Sequence, residues 1–331
     1  MLGRVTERLV DSFGRVHTDL RISVTDRCNF RCSYCMPAEG MQWIPREEIL
    51  TFEEIERVAT VAVDRFGVDT IRLTGGEPTV RARLPVLIDK LARLEVDLAL
   101  TTNGASLENM AHDLAAAGLR RINVSLDSLK ADRFAELTRR DLLERVLGGI
   151  DAALDAGLEP VKLNVVTMRG VNDDELLDFA TYGRERGVEV RFIEFMPLDA
   201  GEAWDREMVV PAAEVLETIS AVHPLEKVDR GNEPAERFRY RDGAGTIGLI
   251  GSVTDPFCAS CNRIRMTAEG QMRNCLFAVE EVDLRGLLRS GAGDDEIARV
   301  MSGCVSAKWA GHRIGEVQFI RPARSMSQIG G

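Results

Sequence analysis

The sequence predicts an α/β fold, an incomplete (β/α)6 TIM-like barrel followed by a C-terminal α+β region. Three observations lead there. Strand and helix patterns alternate six times in the first 200 residues, which implies a parallel sheet with helices outside it. Residues of unusual chemistry collect where those strands end, as in α/β proteins that bind ligands at the carboxyl ends of their strands. The alternation then stops near residue 197 and gives way to a loop-rich region. Six units fall short of a closed barrel, and the pattern alone does not separate this fold from an open doubly wound sheet.

Each element has its own signal. DLRISVT (19–25) is a short, β-branched apolar run. TFEEIERVATVAVDRF (51–66) is an amphipathic helix with Thr51 and Glu54 at capping-box spacing. TIRLT (70–74) is a strand closed by GGEP, and helix (84–94), strand (96–104) and helix (107–118) follow. Further strands are read at 119–127, 160–168 and 188–195. The helices between them cover 141–156, with Gly157 as C-cap, and 173–186 after Asn172. Beyond these lie one helix near 211–221 and a hairpin over 237–253 turning at Asp242-Gly243. The expected division is a barrel of residues 1–225 and a C-terminal domain of residues 226–331.

A chain of 331 residues suits one large domain with an appendage, or two domains. Its formal net charge of -11 argues against a DNA or RNA partner, because phosphate neutralisation calls for a basic surface. It leaves room for a small anionic ligand held by local arginines. No run of about 18 apolar residues predicts a membrane span. The first twenty residues carry no apolar signal core, so the cytoplasm is the expected location.

Three of seven cysteines, Cys28, Cys32 and Cys35, crowd into CNFRCSYC, and Cys258, Cys261 and Cys275 form a second set spaced C-x2-C-x13-C. An odd, clustered set does not read as a disulfide framework, so metal or redox chemistry is preferred. Three thiolates suit a cubane iron–sulfur cluster with one iron left open, and open metal positions bind substrate. For the first set the alternatives are a structural zinc loop or inert thiols, and for the second a zinc knuckle lacking a ligand. Cys304 reads as a plain thiol. GAGTIG (243–248) matches a dinucleotide fingerprint but follows a D-G turn and precedes a β-rich stretch, so it is set aside. Asn123-Val124-Ser125 is a glycosylation sequon inside a predicted buried strand.

C-x3-C-x2-C after the first strand, with Tyr34 before the third cysteine and Gly75-Gly76-Glu77-Pro78 after the second strand, resembles the radical S-adenosylmethionine (SAM) superfamily. The resemblance implies a partial barrel in which Cys28, Cys32 and Cys35 hold a [4Fe-4S] cluster. The open iron chelates SAM, which is cleaved to a 5′-deoxyadenosyl radical. It also implies that Tyr34, Gly76, Glu77, Ser125 and Met196 lie against SAM.

RISVTDRCNFRCSYCMP, LTTNG, RRINVSLD, RFIEFM, FCASCNRIR and the terminal Gly-Gly are similar to the GTP 3′,8-cyclase family within that superfamily. This implies conversion of GTP to (8S)-3′,8-cyclo-7,8-dihydroguanosine triphosphate, the first step of molybdenum cofactor biosynthesis. Cys258, Cys261 and Cys275 would carry a second [4Fe-4S] cluster whose open iron holds guanine. Arg21, Arg72, Thr101, Lys162, Arg191, Arg263, Ile264 and Arg265 would contact GTP, and Gly330 and Gly331 would bring the tail to the active site. The implied partners are cyclic pyranopterin monophosphate synthase downstream and a reductant for the clusters, and the resemblance admits a homodimer. Thr70 departs from the family, which often carries a basic residue there. The rival readings are a radical SAM peptide maturase with an auxiliary cluster and a non-catalytic iron–sulfur protein.

Without a phosphate-binding loop, a triphosphate must be held by dispersed cations. Arg21 and Arg72 interrupt otherwise apolar strands, which is unusual for solvated charges. Arg263 and Arg265 alternate with Ile264, so they are expected on one face of a strand.

Overall fold

The computed structural model describes residues 7–198, 204–314, 316–317 and 319–330. Six strands run parallel in chain order: β1 (Asp19–Ser23), β2 (Thr70–Thr74), β3 (Asp97–Thr102), β4 (Arg121–Ser125), β5 (Val161–Thr167) and β6 (Glu189–Glu194). The helices between them are α1 (Phe52–Phe66), α2 (Leu84–Ala92), α3 (Ala111–Ala116), α4 (Ala131–Thr138), α5 (Leu143–Asp155) and α6 (Leu176–Arg186). The expected capping box of α1 is present, with Thr51 Oγ1 accepting from Glu54 N and the Glu54 carboxylate accepting from Thr51 N. Gly67, at φ 68°, ends that helix in the left-handed conformation glycine adopts freely. Helix α4 is an addition to the sequence reading, which placed only α5 between β4 and β5.

Helix α7 (Ala212–Val222) leads into β7 (Leu225–Val228), β8 (Glu236–Tyr240) and β9 (Thr246–Ile250). Strands β8 and β9 form the expected hairpin, so GAGTIG is its turn and second strand. Strands β10 (Arg263–Met266), β11 (Gln271–Arg273) and β12 (Val282–Asp283) and helices α8 (Leu284–Ser290), α9 (Asp294–Ser306) and α10 (Met326–Ile329) follow. The sheet keeps two edges, in the order β12-β11-β10-β1-β2-β3-β4-β5-β6-β9-β8-β7. Residues 226–331 therefore add strands to both flanks: β9 lies parallel to β6, and β10 lies parallel to β1.

Alternate residues on each strand face opposite ways. Leu20, Ile22, Ile71, Leu73, Leu100, Ile122, Val124 and Leu163 join Ile55, Val58, Leu87, Ile150 and Phe179 of the helices in one buried core. The other face carries polar residues from β1 through β6 and β10, and each of these strands contributes to the wall of one cavity. With Ile250 of β9 the cavity takes residues from eight strands, so the open sheet must curl around it. No helix among the described residues is long and apolar enough to cross a membrane.

Candidate active site

The cavity, about 570 Å3, has Cys28, Cys32, Cys35, Cys258, Cys261 and Cys275 in its wall. Topology fixes their placement. The first triad follows β1, while Cys258 and Cys261 precede β10, which pairs in parallel with β1 so that Asp19 faces Arg263. Strand β11 runs back antiparallel to β10 and returns Cys275 to the end where Cys258 and Cys261 lie. The triads thus stand at opposite ends of the same strands, separated by a strand rise of about 13 Å or more. The second triad, at the amino end, departs from the expectation that the chemistry gathers at the carboxyl ends.

The two triads differ electrostatically. Burial pushes Cys28 up to about 12, Cys35 up to about 11 and Cys32 upward too. The Arg31 charge lowers Cys28 but is outweighed by burial, and three thiols held protonated in this way fit a site in which iron supplies the positive charge that ionises them. Among the described residues no three His, Cys, Asp or Glu side chains converge on one point as ligands of a single ion. A cubane does not require that, because each of its thiolates binds a different iron. At the second triad, burial raises Cys261, but Arg263 and Lys308 outweigh it and bring the thiol down to about 6. Lys308 Nζ donates to Cys261 Sγ at 3.3 Å and to Arg263 O at 2.8 Å. Arg15 clamps the same loops, donating to Cys258 O at 2.7 Å and Ala310 O at 2.8 Å. Lys308 and Arg15 lie in no recognisable motif, so only packing identifies them.

The GGEP loop is bonded to the first cysteine loop. Gly76 N donates to Thr25 O and Glu77 N to Arg27 O, both at 2.8 Å. A Cβ on Gly76 would lie 2.4 Å from Asp26 O and 2.5 Å from Arg27 O, so only glycine allows this approach. Glu77 is buried and its carboxylate accepts from Thr79 N, Thr79 Oγ1, Thr102 Oγ1 and Asn103 N. It ties the ends of β2 and β3 together. Asn103 in turn donates to Asn29 Oδ1 at 2.8 Å. The Tyr34 hydroxyl donates to Asp127, whose other oxygen accepts from Val166 N at 2.8 Å, and burial pushes Asp127 up to about 6. Ser125 and Met196 line the cavity with Tyr34, Gly76 and Glu77.

Arg21 and Arg72 sit in mid-strand rather than at strand ends. They face the cavity because they occupy the polar alternation of β1 and β2. Arg265, Arg21 and Arg72 stand in register on adjacent strands. Arg191, Arg263 and Thr101 also line the cavity, while the Ile264 side chain is buried in the outer core. Lys162 instead lines a second cavity of about 690 Å3 at the amino ends of β3 to β6. Its ammonium is 3.2 Å from Glu233, and burial with the nearby Arg191 charge lowers it to about 8. Arg265 Nη1 donates to Gly330 O at 2.6 Å, so the tail does reach the arginine row. Gly330 has φ 86°, and a Cβ there would lie 2.8 Å from Thr74 Cγ2. Gly331 lies outside the described residues.

The chain matches two family models, Radical SAM superfamily over residues 22–182 and Molybdenum Cofactor Synthesis C over residues 188–314. It is 49% identical over 328 residues to the GTP 3′,8-cyclase of Streptomyces coelicolor, covering 98% of this chain and 96% of that one. It is 48% identical over 343 residues to that of Paenarthrobacter nicotinovorans, covering 98% and 97%. Among solved structures it resembles Streptococcus suis SuiB (TM-score 0.63, 13% identity, 94% of this chain and 78% of that one). It also resembles methylornithine synthase (TM-score 0.54, 17% identity, 86% of each chain). At those identities the two structures support the fold alone. The near full-length matches decide the family: this chain belongs to the GTP 3′,8-cyclase family, built on a radical SAM domain.

Proposed function

We propose that this protein is a radical SAM enzyme that converts GTP to (8S)-3′,8-cyclo-7,8-dihydroguanosine triphosphate at the start of molybdenum cofactor biosynthesis. One observation carries the reading: both cysteine triads open into a single cavity whose wall between them holds buried arginines in register. In this reading Cys28, Cys32 and Cys35 hold one [4Fe-4S] cluster, and Cys258, Cys261 and Cys275 hold a second. Reductive cleavage of SAM supplies the radical chemistry. The chain's residues position the reactants. Tyr34, Gly76, Glu77, Ser125 and Met196 shape the SAM end, with Glu77 and Asp127 fixing the loops. Arg21, Arg72, Arg263, Arg265, Arg191 and Lys162 hold the triphosphate, with Thr101 beside it. Gly330 brings the tail to Arg265. The product would pass to a cyclic pyranopterin monophosphate synthase, and a cellular reductant would supply electrons.

Anaerobic reconstitution followed by incubation with SAM, dithionite and GTP tests this. The expected results are about eight irons per chain, 5′-deoxyadenosine and a cyclised nucleotide. About four irons would remove the second cluster, and 5′-deoxyadenosine without a cyclised nucleotide would remove the substrate.

A further inference from the structure

Glu233 lies in the loop between β7 and β8 and, with Asp97 and Arg121, forms the wall shared by the two cavities. Its carboxylate accepts from Arg191 Nη2 and lies 3.2 Å from Lys162 Nζ. Burial would raise its carboxyl, but Arg191 and Lys162 outweigh that and hold it at about 2. Both cations are almost wholly buried, whereas the Glu233 side chain is 34% exposed. Around it the loop is irregular, bonded by Glu233 N to Arg230 O at 3.2 Å and turning at Gly231 with φ 57°. A carboxylate held by a guanidinium and an ammonium is the arrangement a phosphate group would take.

We propose that Glu233 is a positioning residue that stands in for the terminal phosphate of the substrate. This rests on the GTP reading above. Glu189 already faces both cations, accepting from Arg191 Nε at 2.6 Å and lying 3.7 Å from Lys162 Nζ, but one carboxylate leaves this buried pair with a net positive charge. Glu233 supplies the second negative charge and holds Arg191 Nη2 and Lys162 Nζ oriented in the nucleotide-free protein. When a triphosphate arrives, its terminal phosphate takes the same two donors. A phosphate and the Glu233 carboxylate brought to the same donor atoms, Arg191 Nη2 and Lys162 Nζ, repel each other, so the carboxylate turns away into the second cavity, which is large enough to receive it. A diphosphate lacks the group that competes and leaves Glu233 in place.

The test compares wild type and Glu233→Gln as reconstituted holoenzymes, measuring GTP and GDP binding by anaerobic equilibrium dialysis. The variant should bind GTP at least fivefold more tightly and GDP unchanged, and its nucleotide-free melting temperature should fall. Glu233→Asp, which keeps the charge but has a shorter reach, should fall between the two for GTP and serves if the glutamine variant does not fold. Wild type binding GTP while the variants bind it no tighter overturns the stand-in role and leaves the substrate reading intact. Equal tightening of GTP and GDP overturns it too, since Glu233 would then only add negative charge to the cavity. Failure of every form to bind GTP removes the substrate reading, and this role with it.

Discussion

Arg21 and Arg72 are directly opposite each other in the parallel pairing of β1 and β2, and Arg265 flanks Arg21 on the other side. Like charges in register destabilise a sheet. Here one nearby carboxylate, Asp19, lies 3.6 Å from Arg21, and Arg21 Nε, Arg72 Nε and Arg72 Nη1 have no hydrogen-bond partner among the described residues. Burial and the Arg21 charge lower Arg72 to about 9. A fold that tolerates this row gives up stability for it, and in the proposed function the row is the site of the triphosphate.

Replacing Arg72 by methionine should therefore separate stability from binding. The melting temperature of the nucleotide-free protein should rise or hold, because a desolvated, unpaired charge is removed while volume is kept. GTP affinity should fall by roughly tenfold or more, the value of a lost charge-assisted hydrogen bond of about 1.5–3 kcal/mol. Thermal shift and equilibrium dialysis on one preparation check both signs, and a fall in both would make Arg72 structural.

The four donors on the Glu77 carboxylate make Glu77→Gln a sharp change. An amide NH2 would have to face N–H or O–H donors, leaving at least one buried group unpaired, at a cost of about 1–3 kcal/mol. We expect a lower urea midpoint and reduced iron uptake at the first triad, since the same network anchors the cysteine loop. Wild-type values for both would dismiss the network.

Gly330→Ala should leave stability and iron content near wild type while lowering turnover by at least tenfold. The added methyl meets Thr74 Cγ2 and the residue loses its φ 86° conformation, so the tail leaves Arg265. Full turnover in the variant would show that the tail's path is immaterial.

His17 is fully buried, and burial together with the Lys308 charge lowers it to about 4 from 6.5. Between those values the unfolded chain binds a proton that the folded one does not. Stability from this group is thus complete above about pH 6.5 and is lost as pH falls towards 4. Asp127, raised to about 6 from 3.8, acts in the opposite sense: its contribution is present at low pH and is lost as pH rises through 6. The His17 contribution is isolated by comparing wild type with His17→Gln. Between pH 7 and 5 the melting temperature of wild type should fall relative to that of the variant. Parallel curves would place the histidine proton elsewhere.

Local pattern made much of this molecule legible. The β1–β6 alternation, the Thr51–Glu54 capping box and the hairpin at Asp242-Gly243 rest on period, caps and turns, which act over a few residues. The lone sides of β1, β2 and β10 were readable because Arg21, Arg72, Arg263 and Arg265 break apolar strands at the period of two. Helices α4 and α9 and strands β11 and β12 went unread, because they are short or set among mixed sequence whose packing partners lie far along the chain.

By itself the sequence determined which residues are chemically unusual, two cysteine triads and a set of strand arginines, and the family they belong to. Their arrangement was decided by tertiary structure. Residues 226–331 pair with both β1 and β6, and the return of β11 carries Cys275 back beside Cys261. That pairing puts the triads at opposite ends of one cavity and sets Arg265 beside Arg21. The side chains of Glu233 and Lys308 acquire their partners only there, since their contacts join segments 42 and 45 residues apart or more. Such contacts leave no local period in the chain, because they arise only when distant strands are laid edge to edge.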